Sequence, residues 1–187
     1  KNYETRNTAA PITIKNLFFQ KILGFNKQAY WPTHHSSTIT GVNNIEIGIG
    51  TAPGLAHGCY IQGIGKIRIG DYTIVAPNVG IISANHDLND YSVHKKSSVS
   101  IGRYCWLGMN SIIMPGVFLG DHTVVAAGAV VTSSFPDGYC VVGSIPAKVI
   151  KKLNPEDMVE QKNNFEYIGY IPVNKFEEFR RKLNCLN

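Results

Sequence analysis

The side chains best suited to proton transfer are concentrated in one polar segment, residues 83–98, which reads SANHDLNDYSVHKKSS. This segment holds His86 between Asn85 and Asp87, and a second histidine, His94, follows eight residues after the first. An imidazole with its ordinary pKa of about 6.5 both accepts and donates protons at neutral pH. A histidine in a polar loop is usually an ordinary surface residue, so a catalytic role depends on the elements that hold this segment.

The cysteine pattern gives no sign of a metal or redox centre. Cys59, Cys105, Cys140 and Cys185 form no CxxC pair, so neither a structural zinc site nor a dithiol motif is indicated. We therefore expect small, buried thiols in a protein of the cytoplasm, where thiols stay reduced.

The bulk composition narrows the kind of protein. The 187 residues are 44% hydrophobic and 17% charged, which suits one principal domain with appendages. No run approaches the roughly 18 apolar residues of a membrane span, and no apolar leader with a cleavage site is evident. The formal net charge of +5 fits either a solvated, lysine-rich surface or a phosphate-bearing ligand. The basic residues form no aromatic-interleaved patch, so nucleic acid is not an expected partner.

A six-residue repeat organises most of the chain. Its aliphatic position is filled by Ile69, Val75, Ile81, Ile101, Leu107, Ile113, Leu119, Val125 and Val131. Its small or β-branched position is filled by Thr73, Val79, Cys105, Ser111, Val117, Thr123 and Ala129, with Ile61 and Ile67 in weaker upstream repeats. Neither the 3.6-residue period of a helix nor simple strand alternation produces this pattern.

Each six-residue unit suggests a short strand and a turn, and three units would close a triangular coil of about 18 residues. Stacked coils bury one continuous apolar column, and their strands pair with equivalents above and below. The predicted fold class is therefore an all-β core, a parallel β-helix, with short helices at both ends of the chain.

The repeat is interrupted once, between Ile81 and Ile101. The next aliphatic residue is due at position 87, but the series resumes only at Ile101, and the interval from 87 to 101 is not a whole number of repeats. Residues from about 83 to 98 must therefore leave the coil as an extruded loop. Loops held on a rigid scaffold often carry function, so this loop, with His86, is the first candidate site.

Both flanks have helix-like patterns. Residues 12–30 predict a helix that would cap the first coil with its apolar side chains. These side chains are Leu17, Phe18, Ile22 and Leu23. In the tail, Asn154 and Asn174 are each placed to cap a short helix. The expected divisions are 1–38, an N-terminal lead and capping helix; 39–152, the β-helix; and 153–187, a helical extension.

Five segments resemble the hexapeptide-repeat acyltransferases that acetylate sugars and xenobiotics. They read VAPNV (75–79), ANHD (84–87), IGRYCWLG (101–108), MPGVFLGDHTVVAAGAVVT (114–132) and GSIPAKVI (143–150). Two upstream segments, WPTHHSS (31–37) and PGLAHGCYIQG (53–63), look most like acetyltransferases found with bacterial surface-polysaccharide genes. The resemblance implies a left-handed coil and transfer of an acetyl group from acetyl-CoA to a hydroxyl of a sugar or saccharide.

In this family the catalytic histidine begins the extruded loop, and His86 is the matching residue. The resemblance implies that its imidazole takes the proton of the acceptor hydroxyl and returns it to the departing thiolate, without a covalent enzyme intermediate. Asn85, Asp87 or a backbone carbonyl would orient this imidazole or meet the acceptor. His57 would either line the acceptor pocket or pack structurally. The remaining histidines are expected to be ordinary residues: His34, His35, His94 and His122.

The same resemblance assigns a CoA-binding side. Trp106 would border the cleft, and the backbone amide of Met109 would face the thioester oxygen. Ala127 and Gly128 would line the extended pantetheine arm. The remaining matches are Thr132 and Ser133, which follow that arm, and Lys148 and Lys151, which lie near the CoA phosphates. Ser133 replaces a family lysine, and the two lysines stand where arginine is common, so phosphate contact would lack a bidentate fork.

Active sites of this family lie between the subunits of a homotrimer, so we expect His86 to face the Trp106–Lys148 side of a neighbouring chain. The acceptor is expected to be a saccharide or another small molecule, with an antibiotic or other xenobiotic as the alternative. A zinc-dependent carbonic anhydrase is disfavoured because a pair of histidines five residues apart is absent, and we expect no metal. A non-catalytic scaffold is disfavoured by the intact loop.

Overall fold

The structure, a computed structural model, describes residues 1–184, and most of its regular elements are short strands. The strands are Thr38–Thr40 (β1), Ile45–Ile47 (β2), Tyr60–Gln62 (β3), Ile67–Ile69 (β4), Ile74–Val75 (β5), Gly80–Ile82 (β6), Ala84–His86 (β7), His94–Lys96 (β8), Val99–Ile101 (β9), Trp106–Leu107 (β10), Ile112–Ile113 (β11), Phe118–Leu119 (β12), Thr123–Val125 (β13), Val130–Val131 (β14), Cys140–Gly143 (β15), Lys148–Lys152 (β16), Tyr167–Ile168 (β17) and Ile171–Pro172 (β18). The helical segments are Asn2–Thr5 (α1), Ile14–Leu17 (α2), a π-helical turn at Phe18–Ile22, 3₁₀ turns at Val42–Asn44 and Pro155–Asp157, and Val173–Asn184 (α3). Cys185 lies outside the described residues.

Successive strands take turns in three parallel sheets, so the chain winds as a three-sided coil. The first sheet has the order β1-β3-β6-β11-β14, and the second has the order β12-β9-β4-β2. The third sheet runs β5-β10-β13-β15, with β16 added antiparallel at its edge. The predicted all-β core of stacked parallel strands is therefore confirmed.

One regular turn of the coil consists of three six-residue repeats, since Leu107 pairs with Val125 and Ile113 pairs with Val131. The aliphatic position of the repeat is buried along the axis at Ile69, Ile81, Ile101, Leu107, Ile113, Leu119, Val125 and Val131. The small position is buried too, at Cys105, Ser111, Val117, Thr123 and Ala129. Because each buried aliphatic side chain contributes roughly 1.5–3 kcal/mol, this column is a principal source of stability.

One upstream residue is misplaced by the sequence pattern. Ile61 pairs with Ile81 and therefore belongs to the aliphatic column, so its prediction as a small-position residue was wrong. Ile67 pairs with Val99, two residues before the column residue Ile101, and it keeps the small position. The turn from Ile61 to Ile81 is longer than the regular turn from Leu107 to Val125, so the six-residue phase cannot be extended backwards across it.

The N-terminal helix is shorter than predicted and faces the other way. It consists of α2 and the π-helical turn that continues it, and Gly24, with φ of +84°, reverses the chain behind it. The side chains predicted to face the coil are exposed: Leu17, Phe18, Ile22 and Leu23. Gln20 is buried in their place, because its side-chain amide donates hydrogen bonds to the carbonyls of Ala29 and Trp31.

The C-terminal segment returns to the first coil. The carbonyl of Tyr167 accepts a hydrogen bond of 2.9 Å from the amide of Gly50. Helix α3 places Phe176 and Phe179 against Tyr30, with ring centroids 6.0 and 5.7 Å away. Both flanks of the chain therefore meet at the N-terminal end of the coil.

The two predicted helix caps in the tail have different outcomes. Asn154 caps the 3₁₀ turn, because its side-chain oxygen accepts a hydrogen bond of 3.3 Å from the amide of Glu156. Asn174 lies inside α3, so its prediction as a cap was wrong.

In the described part of the chain, none of the helices has both the length and the apolar character needed to cross a bilayer.

Candidate active site

The candidate loop leaves the coil as a two-stranded hairpin. Strands β7 and β8 pair antiparallel with each other, and this pair belongs to none of the three parallel sheets. Ile81, before the hairpin, pairs with Ile113, so the chain between them makes one regular turn and also contains the extra segment of the phase break. The hairpin is anchored to the coil by Ser83, where it begins. Ser83 is buried, and its hydroxyl accepts a hydrogen bond of 2.9 Å from the amide of Gly65. A rigid coil thus holds an exposed hairpin.

The His86 ring is oriented by a backbone carbonyl. Its Nδ1 atom lies 2.5 Å from the carbonyl oxygen of Tyr91. A carbonyl oxygen only accepts, so Nδ1 carries the hydrogen and Nε2 keeps its lone pair. The residue is exposed, so Nε2 is available to take a proton from an incoming group. This tautomer is the one that a general base needs.

Asp87 serves the hairpin rather than the imidazole. Its carboxylate lies 2.5 Å from the Lys95 ammonium and accepts a hydrogen bond of 2.8 Å from the amide of Asn89. The hydrogen bond from Lys95 is the main reason that the pKa of Asp87 is below its ordinary value. Asn85 lies on the same strand as His86, opposite Lys95, and is exposed. Of the orienting groups that the sequence left open, the Tyr91 carbonyl is the one in contact with the ring.

His94 is a residue of this site that sequence reasoning missed. It pairs with His86 across the hairpin, and the two ring centroids are 4.3 Å apart. The sequence signal was available, because residues equidistant from the turn of an antiparallel hairpin face each other, and Asp90 lies midway between the two histidines. The phase break predicts only an extruded loop, and the relation holds because that loop forms a hairpin.

Four of the residues assigned to CoA and the acceptor share a different part of the coil, the corner between the third and first sheets: His57, Met109, Ala127 and Gly128. Thr132 and Ser133 follow β14 instead, at the corner between the first and second sheets from which the hairpin also leaves. Backbone hydrogen bonds connect this corner from coil to coil: Asn78 N to His57 O at 2.9 Å, Asn110 N to Pro77 O at 3.1 Å, and Gly128 N to Met109 O at 2.8 Å. His57, Met109 and Gly128 therefore lie along one line. We call this line the groove corner.

The Met109 amide meets the first requirement for an oxyanion donor. The neighbouring amides of Gly108 and Asn110 are used by the coil, at 2.8 and 3.1 Å from their acceptors. The Met109 amide has no acceptor among the described residues, and its side chain is exposed. A backbone N–H that the fold does not use can donate to a negative charge that develops on a substrate.

Open space beside the groove corner suits an extended ligand. Gly128 has φ of +71°, and a Cβ atom added there would meet nothing within 4 Å. Trp106 is exposed on the outer face of the third sheet, where it pairs with Ile74 and Val124. The other assigned residues are also exposed: Ala127, Thr132, Ser133, Lys148 and Lys151.

The two halves of the candidate site lie at different corners of the same chain. The groove corner precedes β6 in the first sheet, and the His86 hairpin follows β6. A three-residue strand spans roughly 10 Å, so the chain brings Met109, Ala127 and Gly128 together but leaves His86 apart from them.

Aromatic rings continue the groove corner at its N-terminal end. The His34 ring centroid lies 6.2 Å from that of His57 and 4.1 Å from that of His35, and Phe19 stacks on His35 at 4.5 Å. Burial lowers the pKa of His34, and the neighbouring imidazoles of His35 and His57 lower it further. His34 and His35 were expected to be ordinary histidines, and their separation from His57 in sequence gave no signal of this cluster.

Cysteine and metal chemistry find little support at these sites. Burial raises the pKa of the Cys105 thiol to about 11, and burial also raises the pKa values of Cys59 and Cys140. These three thiols are buried and free, and as thiols they are poor nucleophiles at neutral pH. Among the described residues, no three His, Cys, Asp or Glu side chains are grouped so that they could hold a metal ion.

Comparison with known proteins agrees with this architecture. Residues 98–133 match the family described as bacterial transferase hexapeptide (six repeats). The galactoside O-acetyltransferase of Escherichia coli K12 is 32% identical over 96 residues, which are 49% of this chain and 46% of that protein. A putative lipopolysaccharide biosynthesis O-acetyl transferase of the same organism, WbbJ, is 34% identical over 116 residues, covering 55% and 59% of the two chains.

A solved structure extends the similarity to three dimensions. The maltose O-acetyltransferase of Clostridium difficile 630 superposes with a TM-score of 0.63 at 29% identity, covering 76% of this chain and 79% of that one. The chain spans about half the length of the curated relatives it matches. The resemblance to hexapeptide-repeat acyltransferases of the sugar-acetylating group is thus confirmed.

Proposed function

We propose that this chain, a hexapeptide-repeat protein similar to the sugar O-acetyltransferases, transfers an acetyl group from acetyl-CoA to a hydroxyl of a sugar or saccharide. The observation that carries the proposal is the His86 ring, whose Nδ1 is bound to the Tyr91 carbonyl while Nε2 is left available on an exposed hairpin. The names of the galactoside, maltose and lipopolysaccharide relatives support a saccharide acceptor.

The reaction needs one base and one oxyanion donor. His86 Nε2 takes the proton of the acceptor hydroxyl while the hydroxyl oxygen forms a bond to the thioester carbon. The Met109 amide donates to the carbonyl oxygen as negative charge develops on it. The C–S bond then breaks, and the imidazolium returns its proton to the CoA thiolate. Base catalysis of this kind contributes roughly 10²–10⁴-fold to the rate.

Acetyl-CoA would lie along the groove corner as a substrate. The open space at Gly128 leaves room for the pantetheine arm, with Ala127 beside it and Trp106 at the border of the cleft. Thr132 and Ser133 follow the arm at the end of β14. The lysines Lys148 and Lys151 on the edge strand β16 would meet the CoA phosphates as point charges.

We also infer a homotrimer of left-handed coils in which His86 of one chain completes the groove corner of the next. The outer face of the second sheet carries an ion pair of 3.2 Å between Glu46 and Arg68, and one large apolar side chain, Phe118, is exposed on its β12 edge. The outer faces of the other two sheets carry large apolar side chains, Tyr60 on the first sheet, with Ile74 and Trp106 on the third. A cyclic trimer needs two different contact faces on each chain, and these two faces suit that role.

We propose that the reaction takes place in the cytoplasm, where the free thiols of Cys59, Cys105 and Cys140 would remain reduced. This compartment agrees with the proposed use of acetyl-CoA.

The test of the proposal is acetyl-CoA thioester cleavage against a panel of saccharides and antibiotics, with the acetylated product identified by mass. With an identified acceptor, we expect His86→Gln to lower kcat by about 10²–10⁴-fold, because glutamine does not act as the base. The matched control is Leu88→Ala on the same hairpin, where the exposed side chain should matter little. Near-normal turnover in the His86→Gln protein would reject the mechanism, and an antibiotic as the best acceptor would replace the saccharide.

A further inference from the structure

The N-terminal helical segment turns its polar side towards the protein. Gln20 has no exposed surface, and its side-chain nitrogen donates hydrogen bonds of 3.0 Å to the carbonyls of both Ala29 and Trp31. Its side-chain oxygen accepts from the hydroxyl of Tyr170. A buried amide with these partners fixes the rotation of the helix, because turning it would leave polar groups unsatisfied.

The apolar side of the same segment consequently faces outward. Ile14, Phe18 and Ile22 are spaced four residues apart, so they lie along one helical face. Ile14 is 75% exposed and Ile22 is 72% exposed. The N-terminal apolar surface is made of Ile14, Leu17, Phe18, Ile22, Leu23 and Phe25, all of them exposed. A surface helix normally buries its apolar face, so this reversed pattern indicates an apolar environment that the single chain does not supply.

Positive charge accompanies this surface. Residues 1–38 contain five basic residues and one acidic residue, a formal net charge of +4 out of +5 for the whole chain. Lys15 and Lys27 are exposed, and the ammonium of Lys21 lies 3.0 Å from the Lys27 carbonyl. The acidic residue, Glu4, accepts a hydrogen bond from the Tyr167 hydroxyl. A copy of the same surface would be a poor partner, because it would bring lysines against lysines.

We propose that the N-terminal apolar surface docks on a membrane that contains anionic lipids. The nine helical residues span roughly 13 Å, well short of the ~30 Å hydrocarbon core, so the helix lies in the interface with its apolar side chains among the acyl chains. Lys15 and Lys27 meet the lipid phosphates. Phe19, on the same helix, stacks on His35, so the docked surface adjoins the His34–His57 end of the groove corner. Docking itself does not depend on the proposed acetyl transfer.

The experiment is co-sedimentation of the full chain with vesicles of phosphatidylcholine alone or of phosphatidylcholine mixed with phosphatidylglycerol. We expect binding to the mixed vesicles that weakens with added salt. The double variant Phe18→Ser/Ile22→Asn should lower the partition coefficient at least tenfold. Removing Lys15 and Lys27 by substitution with glutamine should lower it about fivefold per lysine. The matched control is Val159→Asn, which replaces an equally exposed apolar side chain, 76% accessible, in the C-terminal segment.

Each result bears directly on the proposal. Absence of wild-type binding to the mixed vesicles overturns it, as does unchanged binding by the Phe18→Ser/Ile22→Asn protein. Light scattering gives a third check, because a smaller oligomer in that variant identifies the surface as a subunit contact and also overturns the proposal. Circular dichroism and thermal melting verify that the variants fold. Loss of vesicle binding with an unchanged oligomer and an unchanged melting profile supports docking.

Discussion

Glycine and asparagine occupy the same left-handed backbone position in successive coils at the groove corner. Asn78 and Asn110 have φ of 58° and 60°, and Gly128 has φ of 71°. The turn therefore tolerates asparagine, whose short polar side chain reduces the cost of the left-handed region. What distinguishes Gly128 is the open space beyond its Cα, which is where the pantetheine arm is proposed to lie.

This comparison makes Gly128→Asn a test of the groove without disruption of the turn. The added side chain should obstruct the arm and raise KM for acetyl-CoA about tenfold or more, a loss of about 1.4 kcal/mol of binding. The measurement is initial rate against acetyl-CoA concentration. The matched control is Gly24→Asn, because Gly24 also has positive φ and open space around it but lies on the N-terminal turn. Equal KM values in the two variants would place the CoA arm elsewhere.

A ladder of stacked rings supports another corner of the coil, between the second and third sheets. Tyr72, Tyr104, His122 and Tyr139 all have φ between 44° and 55°. Their rings stack in that order, with centroids 5.2, 5.2 and 4.9 Å apart. A residue other than glycine has a conformational cost at a left-handed position, and the stacking of the rings offsets that cost.

The ladder predicts a measurable loss of stability for Tyr104→Asn. Asparagine tolerates the backbone conformation, but the variant loses two stacked pairs, each contributing about 0.5–1.5 kcal/mol beyond burial. We expect the free energy of unfolding to fall by about 1–3 kcal/mol in urea titration. Tyr3→Asn is the control, since its ring is almost fully exposed. Similar stability of the two variants would show that the ring stacks contribute nothing.

Some elements of the fold follow from the sequence and others do not, for physical reasons. The coil from Ile69 to Val131 was predictable because each turn repeats the same burial at the same spacing, and the phase break located the hairpin. Ile61 was misplaced because its turn is longer than the regular one and shifts the phase of the repeat. The prediction buried the wrong face of the N-terminal helix, because the side-chain amide of Gln20 sets the rotation of that helix. The spacing of apolar residues contains no information about a single buried polar group.

The site was predictable in outline and less so in its contacts. The resemblance placed His86 on the loop, but the Tyr91 carbonyl and His94 come from the hairpin register, which a loop sequence does not specify. The aromatic cluster of Phe19, His34 and His35 depends on how the N-terminal segment folds back on the coil. Long-range placement of this kind leaves no periodic signal.

At the scale of the whole molecule, one chain contains both halves of the proposed site but does not join them. His86 follows β6 and the groove corner precedes it, so the strand keeps the proposed base apart from the Met109 amide. The proposed heterologous trimer would solve this, because each hairpin would reach the groove corner of the next subunit around the threefold axis. The hairpin and the groove corner of one chain would then belong to two different sites, so substitutions in the two halves would damage different sites.

This arrangement predicts complementation between two inactive variants. His86→Ala removes the base, and Ala127→Trp obstructs the groove corner, so each homotrimer should be inactive. When the two chains are co-expressed, each trimer that contains both has three sites, and one of these combines an intact hairpin with an intact corner, so the activity of the mixed trimers should return to about a third of wild type. Differential affinity tags isolate the mixed trimers for the rate measurement. The control is the His86→Ala/Ala127→Trp double variant mixed with wild type. If the mixed trimers of the two single variants stay inactive, and the activity of the control mixture is simply proportional to its fraction of wild-type chains, then the whole site lies within one chain.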